Sequence, residues 1–131
     1  MARPRSLRRR EDFARIYDHG HKFVAPSFVL YVLPADDTAT AVVASKRIGK
    51  AVRRNRAKRL LRELLRLHLL EGDRPAPVLR EVLRRRGVLR GEEGEPPGLW
   101  IVLVARGAIL ERKLPAVAVE LERVLGSRRE S

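Results

Sequence analysis

A helical pattern between residues 57 and 68 constrains the fold of this chain more than any other feature. Its members recur at intervals of three and four residues, which places them along one face of a helix. They are Ala57, Leu60, Leu61, Leu64, Leu65 and His68. The pattern predicts a long amphipathic helix with a buried stripe, and Gly72 is expected to end it.

The opposite face of the predicted helix is basic. Asn55, Arg59, Arg62 and Arg66 repeat at the same spacing. The interval from Asp37 to Glu63 contains no other acidic residue but nine cationic ones: Lys46, Arg47, Lys50, Arg53, Arg54, Arg56, Lys58, Arg59 and Arg62. Like charges four residues apart repel by about 0.2–0.5 kcal/mol, so a solvated helix face normally mixes the two signs. The focused charge therefore predicts a polyanionic partner, and we interpret it as nucleic acid.

Composition excludes several other classes of protein. The chain has 131 residues, 29 Lys plus Arg against 16 Asp plus Glu, and a net charge of +13. This length predicts a single domain over residues 1–131 with a basic arm at 1–10. The absence of cysteine excludes disulfides, thiol catalysis and cysteine-bound zinc, and it is typical of a cytoplasmic protein. No apolar run approaches the roughly 18 residues that a membrane span needs, and the basic start lacks the apolar stretch of a signal peptide.

Periodicity outside the basic helix predicts an α+β fold. Short helices are expected over residues 11–19 and from Pro115 to Gly126. Strands are expected at 28–33 and 40–45, paired as a hairpin, with further strands at 22–25 and 99–105. The order α-β-β-β-α-β-α indicates a two-layer sandwich of helices on one mostly antiparallel sheet, with a strand-helix-strand crossover through the basic helix.

Residues 72–98 interrupt this regular pattern. Prolines and glycines surround a predicted short helix from Val78 to Arg86. We interpret the segment as an insertion. Its arginines could add an RNA contact, but a surface insertion that the fold tolerates is the favoured interpretation.

Side chains suited to catalysis or metal binding are sparse. The chain has no glycine-rich phosphate loop, no serine in a nucleophile elbow and no clustered carboxylates for a metal-dependent nuclease. His19 and His21 flank Gly20 without the neighbours of a metal site, and His68 is interpreted as a histidine at the edge of the core. The sequence therefore favours a binding role.

RNA is a better candidate than DNA. A helix-turn-helix protein has a short helix and a tight turn before its recognition helix, whereas here a predicted hairpin and a glycine come first. RNA-binding sheets often stack bases on aromatic rings, and Phe13, Tyr17 and Tyr31 could do so if the first helix borders the central strand. The alternative is that all three are core residues. That alternative is favoured for Phe13 alone, because a tyrosine hydroxyl prefers a wet edge.

Four segments of the sequence carry a family resemblance: SKRIGKAVRRNRAKR at 45–59, DFARIY at 12–17, FVLYVLP at 28–34 and WIVLVAR at 100–106. The first is similar to the signature of the bacterial ribonuclease P protein subunit family, and the other three are similar to other parts of that family. The resemblance covers residues 7–70 and 99–125. It departs at 72–98, where family members usually have a much shorter loop.

The resemblance implies a subunit that binds the catalytic RNA of ribonuclease P and helps it remove the 5′ leader of precursor tRNA. The RNA performs the hydrolysis with Mg²⁺, so no cofactor is expected on protein side chains. A monomeric protein in a 1:1 complex with the RNA is expected. The resemblance also implies a left-handed β-α-β crossover, where the general rule would predict a right-handed one.

The resemblance assigns binding residues as well. The residues expected to face the catalytic RNA are Arg54, Asn55, Arg56, Lys58, Arg59 and Arg62, and the basic interval adds Arg47, Lys50 and Arg53. The residues expected to bind the leader are Phe13, Tyr17, Tyr31 and Lys46. Each phosphate contact contributes about −0.7 to −0.9 to the log-log salt slope, so Arg56→Ala should flatten that slope by about one. A general RNA-binding or ribosome-associated protein is the alternative function.

Overall fold

The computed structural model describes residues 3–91 and 93–126 and confirms the α+β class. The helices are α1 Arg10–His19, α2 Ala51–Leu64, α3 Pro77–Arg85 and α4 Leu114–Gly126. The strands are β1 Arg5–Ser6, β2 His21–Val24, β3 Phe28–Ala35, β4 Ala39–Val43, β5 Leu70–Glu71, β6 Arg74–Pro75 and β7 Gly98–Ala105. Two 3-10 helices, Lys46–Ile48 and Gly107–Glu111, follow β4 and β7, and a π-helical turn, Leu65–Leu69, extends α2.

The main sheet has the strand order β1-β4-β7-β3-β2. The predicted hairpin between residues 28–33 and 40–45 is wrong, because β7 lies between β3 and β4. Strand β7 is antiparallel to β3 and parallel to β4, so the sheet is mixed rather than mostly antiparallel. Nearly every residue of β7 is buried, as expected for a strand with neighbours on both edges and elements over both faces. The β4-α2-β7 crossover is present, as predicted.

The larger core lies between one face of this sheet and helices α2, α3 and α4. The side chains that fill it from α2, β3 and α4 are Ala57, Leu61, Leu64, Phe28, Leu30, Val32, Val117, Leu121 and Leu125. Fully burying one such leucine or phenylalanine contributes about 1.5–3 kcal/mol. This face therefore supplies most of the hydrophobic stabilisation and holds α2 rigidly against the sheet.

Helix α1 covers part of the opposite face, which adds a layer to the predicted two-layer arrangement. Its Ile16 is fully buried against Trp100 and Val102 in a second, smaller core cluster. Tyr31 packs on this cluster, whereas its neighbours Leu30 and Val32 point into the larger core, as strand alternation requires. Part of the sheet face next to α1 remains accessible to solvent.

Trp100 ties the N-terminal segment to the sheet. Its Nε1 donates to Asp37 at 3.0 Å, and Asp37 also accepts from the Arg5 side chain. The hydrogen bond from Arg5 has the larger effect, and together with the hydrogen bond from Trp100 it lowers the pKa of Asp37 below its ordinary value. The guanidinium carbons of Arg5 and Arg15 lie 5.5 and 5.4 Å from the Trp100 ring centroid. Arg5 and Leu7 of the predicted basic arm thus pack against the sheet, and residues 1 and 2 lie outside the described part of the chain.

The end of the basic helix differs from the prediction. The helical segment ends at Leu69, and Gly72 instead adopts a φ of 64° in the turn between β5 and β6. His68 was expected at the core edge but is exposed, and Leu69 is fully buried in its place. The π-helical turn explains the shift, because i→i+5 bonding adds a residue to the turn and moves the buried position by one.

Residues 72–98 contribute to the core, which their interpretation as a surface insertion did not anticipate. The predicted helix is present as α3, and its Leu79, Val82 and Leu83 are buried in the larger cluster. Arg86 Nη2 donates to the carbonyls of Val124 and Leu125 at 2.8 and 3.2 Å, where the last turn of α4 leaves acceptors without helical donors. The segment therefore braces α4.

Candidate nucleic-acid interface

The predicted RNA-binding residues lie in α2, in the 3-10 helix before it and in the turn that joins the two. We call basic surface the set predicted above: Arg47, Lys50, Arg53, Arg54, Asn55, Arg56, Lys58, Arg59 and Arg62. Ser45 Oγ accepts from the Arg47 amide at 3.3 Å and begins the 3-10 helix. Gly49 follows with a φ of 139°, a conformation that favours glycine. This glycine turn lets the chain enter α2 directly from the 3-10 helix.

The two faces of α2 are divided as its sequence predicts. Asn55, Arg59 and Arg62 are exposed, and Ala57 and Leu61 on the other side are fully buried. The polar face of α2 is therefore held outward by the packing of the apolar one.

Most members of the basic surface have no partner within the part of the chain that the structure describes. In residues 3–91 and 93–126, seven side chains form neither a hydrogen bond nor an ion pair with another described residue: Arg47, Lys50, Arg53, Asn55, Lys58, Arg59 and Arg62. Six of these seven are exposed and Lys58 is half-buried. Neighbouring like charges that lack counter-charges repel each other, and a bound polyanion relieves that repulsion.

Arg54 and Arg56 differ from the other seven because their guanidinium groups are bonded to backbone carbonyls. Arg54 Nη1 donates to Gly49 O at 3.0 Å, across the glycine turn. Arg56 donates from Nη1 to Leu110 O at 3.2 Å and from Nη2 to Arg112 O at 3.3 Å. Sequence reasoning had no signal for these bonds, because a backbone carbonyl is present at every residue.

The three aromatic residues predicted to bind RNA lie together. The ring centroids of Tyr17 and Tyr31 are 4.9 Å apart in an edge-on arrangement, and those of Phe13 and Tyr17 are 6.1 Å apart. Tyr17 is 40% exposed, and the other two are half-buried. Partial burial, with a smaller effect of Tyr31, raises the pKa of Tyr17, so its hydroxyl stays protonated near neutral pH. The rings therefore form a partly open cluster between α1 and β3.

The open sheet face beside these rings includes residues that sequence reasoning missed. Strand register places Lys22 beside Tyr31, and it aligns Val24, Val29, Val104 and Val43 in the next row across four strands. Paired residues of neighbouring strands point to the same face. Val24 is 52% exposed, and the other three valines are half-buried. We call aromatic face the set Phe13, Tyr17, Tyr31, Lys22, Val24, Val29, Val43 and Val104.

Lys46, the fourth residue predicted to bind the leader, is exposed in the 3-10 helix that follows β4. It comes three residues after Val43, so it lies beyond the end of β4 that carries the valine row. The structure thus brings the three aromatic residues into contact and leaves Lys46 at the border of the sheet.

Neither a metal centre nor a membrane span is found in the described part of the chain. No group of three or more His, Asp or Glu residues there could hold a metal ion. No helix among residues 3–91 and 93–126 is long and apolar enough to cross a bilayer. His19 and His21 are both exposed.

Sequence comparison places the chain beside ribonuclease P protein components. The family model described as Ribonuclease P matches residues 1–75. The ribonuclease P protein component of Oleidesulfovibrio alaskensis is 34% identical over 90 residues, which cover 66% of this chain and 70% of that protein. That of Nitratiruptor sp. is 46% identical over 59 residues, which cover 45% of this chain and 54% of that protein. The matched part of the chain thus spans about half the length of the Nitratiruptor protein and over two thirds of the length of the Oleidesulfovibrio alaskensis protein.

Solved structures agree with the sequence comparison. The RNase P protein from Thermotoga maritima superposes with a TM-score of 0.60 and 28% identity, covering 98% of this chain and 100% of that one. The Staphylococcus aureus RNase P protein has the same fold, with a TM-score of 0.62 at 24% identity over 95% of this chain and 94% of that one. Because the family model matches more than half of the sequence and the fold is shared throughout, this chain belongs to the ribonuclease P protein family.

Proposed function

We propose that this chain is the protein component of ribonuclease P. It binds the catalytic RNA in a 1:1 complex through the basic surface and binds the 5′ leader of precursor tRNA through the aromatic face and Lys46. The observation that carries the proposal is the set of seven basic-surface side chains without partners in the described residues. Family membership supports the catalytic RNA as the anion that they would bind.

The basic surface is suited to the phosphates of a folded RNA. Arg59 and Arg62 project from a helix that is fixed by its buried face, so their guanidinium groups reach a phosphate without reorganising the backbone. Each cation that neutralises a phosphate releases condensed counterions, which favours binding at low salt. Asn55 adds an uncharged donor and acceptor for a phosphate, a 2′-hydroxyl or a base edge.

The aromatic face is suited to a single strand. Its valine row crosses from β2 to β4, three strand spacings or about 14 Å, and gives the bases an apolar floor. Lys22 lies on β2 and Lys46 follows β4, so cations lie toward both ends of that path. Tyr17 and Tyr31 offer ring surfaces, and base stacking on an aromatic side chain contributes about 1–3 kcal/mol per base.

Hydrolysis in this proposal belongs to the RNA, which uses Mg²⁺. The residues named for the two surfaces comprise cations, one amide, apolar side chains and aromatic rings but no carboxylate, so their donor set fits binding and positioning rather than metal-assisted hydrolysis. The role of the protein is to hold the leader in a fixed position relative to the catalytic RNA.

Tyr17→Ala and Tyr31→Ala test the leader site. Each removes one ring, so the affinity of the reconstituted complex for leader-bearing precursor tRNA should fall about 5- to 150-fold, the equivalent of about 1–3 kcal/mol of lost stacking. The affinity for mature tRNA should not change, because mature tRNA has no leader. Equilibrium binding of both tRNAs measures the two values.

Tyr17→Phe is the matched control, because it keeps the ring and removes only the hydroxyl. It should bind leader-bearing precursor nearly as well as the wild type. If the alanine variants weakened the binding of the two tRNAs equally, or weakened the binding of neither, the chain would bind RNA without recognising a leader. That outcome would favour a general RNA-binding protein.

A further inference from the structure

Arg56 is central to the basic signature, yet its guanidinium is occupied within the chain. It donates to Leu110 O at 3.2 Å and to Arg112 O at 3.3 Å. These carbonyls lie at the end of the 3-10 helix Gly107–Glu111, where the last acceptors lack helical donors. A planar guanidinium can donate to both carbonyls at once, whereas a lysine ammonium lacks that fork.

The segment that Arg56 holds is linked onward to the corner between β2 and β3. Arg112 Nη1 donates to Glu120 Oε2 at 3.2 Å, and Glu120 is only 5% exposed. Glu120 accepts from the Ser27 amide at 2.8 Å and from Ser27 Oγ at 2.7 Å. A series of hydrogen bonds therefore runs from α2 through residues 107–112 and α4 to the corner at Ser27.

That corner borders the aromatic face. Ser27 lies between Val24, the last residue of β2, and Val29 in β3, and these two valines are partners in the valine row. A shift of Ser27 would therefore move the edge of the row on which leader bases are proposed to lie. The hydrogen bonds of Arg56 thus connect the two surfaces proposed to bind RNA.

We propose that Arg56 is a positioning residue that sets the aromatic face relative to the basic surface and does not itself contact phosphate. The inference rests on the proposed function, because it requires that the catalytic RNA and the leader bind at these two surfaces. It replaces the phosphate contact expected for Arg56 from the sequence. Phosphate contacts then fall to the seven side chains without partners in the described residues.

Arg56→Lys distinguishes a phosphate contact from a positioning role, because lysine keeps the positive charge but cannot donate to both carbonyls at once. Arg56→Lys and Arg56→Ala should behave alike. Each should lower the ratio of precursor to mature tRNA affinity roughly fivefold, the equivalent of about one lost hydrogen bond. Each should leave the salt slope for catalytic RNA close to that of the wild type, whereas Arg59→Ala should reduce it by about 0.7–0.9.

Ser27→Ala probes the far end of the same series by removing one hydroxyl. It should lower the same affinity ratio, and the double variant with Arg56→Ala should be no worse than Arg56→Ala alone, because both changes interrupt one connection. Independent effects of the two residues would add and would contradict the connection.

Three outcomes would overturn the proposal. If Arg56→Lys kept the wild-type ratio and slope while Arg56→Ala lost about 0.7–0.9 of the slope, Arg56 would be a phosphate contact. If both variants weakened the binding of precursor tRNA and of mature tRNA equally, Arg56 would only support the fold. A wild-type complex without preference for leader-bearing precursor would overturn the proposed function and this inference with it, and the wild type alone reveals that case.

Discussion

Replacing Arg59 and Arg62 together by alanine should weaken the binding of catalytic RNA about twentyfold at 0.15 M salt. Both side chains are exposed and have no partner among the described residues, so the substitution removes two phosphate contacts without disturbing the packing of α2. Each contact contributes about 0.7–0.9 to the slope, so the slope should fall by about 1.4–1.8. Counted from equal affinity at 1 M salt, this difference in slope lowers the affinity of the variant at 0.15 M salt by about 1.3 log units. A salt titration of binding measures the slope directly.

The double variant Arg85→Ala with Arg90→Ala is the matched control. It removes the same net charge from exposed side chains of the 72–98 segment that likewise lack partners among the described residues. The salt slope should stay close to that of the wild type if binding is local to the basic surface. Equal losses in the two double variants would contradict a localised site and would assign an RNA contact to the segment.

Replacing Glu120 by alanine should destabilise the fold by about 2–4 kcal/mol, because its carboxylate accepts from two donors of the fully buried Ser27, and a buried donor left unsatisfied costs about 1–3 kcal/mol. Its carboxylate accepts from Ser27 twice and from Arg112, and the side chain is almost completely buried. The substitution leaves the Ser27 amide and hydroxyl without acceptors in the protein interior. The melting temperature should fall by roughly 10 °C or more, measured by circular dichroism.

Glu122→Ala is the control for Glu120→Ala. It also removes a glutamate carboxylate, but from the exposed side of α4, so helix propensity and net charge change as they do in Glu120→Ala. Its effect should stay within about 0.5 kcal/mol. If the two variants melted at the same temperature, Glu120 would not hold the β2–β3 corner, and the connection from Arg56 to the aromatic face would lose its middle member.

The helices could be predicted from the sequence because their signals are local. Ala57, Leu61 and Leu64 recur at helical spacing and are all buried, and the polar face around Arg59 is exposed. The prediction failed where the helix changed type. His68 fits the α-helical repeat, but the π-helical turn places Leu69 in the core instead.

The separation of β3 and β4 in the sheet could not be predicted from the order of the strands along the chain alone. Strands that follow each other in sequence are usually adjacent, and that tendency favoured a hairpin. The completely apolar β7, however, needs a position with neighbours on both sides, which it obtains by inserting between β3 and β4. The run from Leu99 to Ala105 carried this signal, because a continuously apolar strand indicates a central one.

The candidate site was predicted only in part, for a related reason. Phe13, Tyr17 and Tyr31 were identified, and the structure brings their rings together. Lys22 and Val24 were missed because their place beside the rings depends on the register of β2 against β3. The available signal was the alternation of Lys22 and Val24 with the buried Phe23, which places those two side chains on the other face of β2.

Cleavage by the reconstituted complex at limiting Mg²⁺ tests the proposed function most directly. Precursor tRNA is incubated with the catalytic RNA, with and without this protein, over a series of Mg²⁺ concentrations. The protein should lower the Mg²⁺ concentration that the RNA requires to remove the 5′ leader, and protein free of RNA should cleave nothing. An unchanged Mg²⁺ requirement, or cleavage by the protein alone, would contradict the role proposed for this chain.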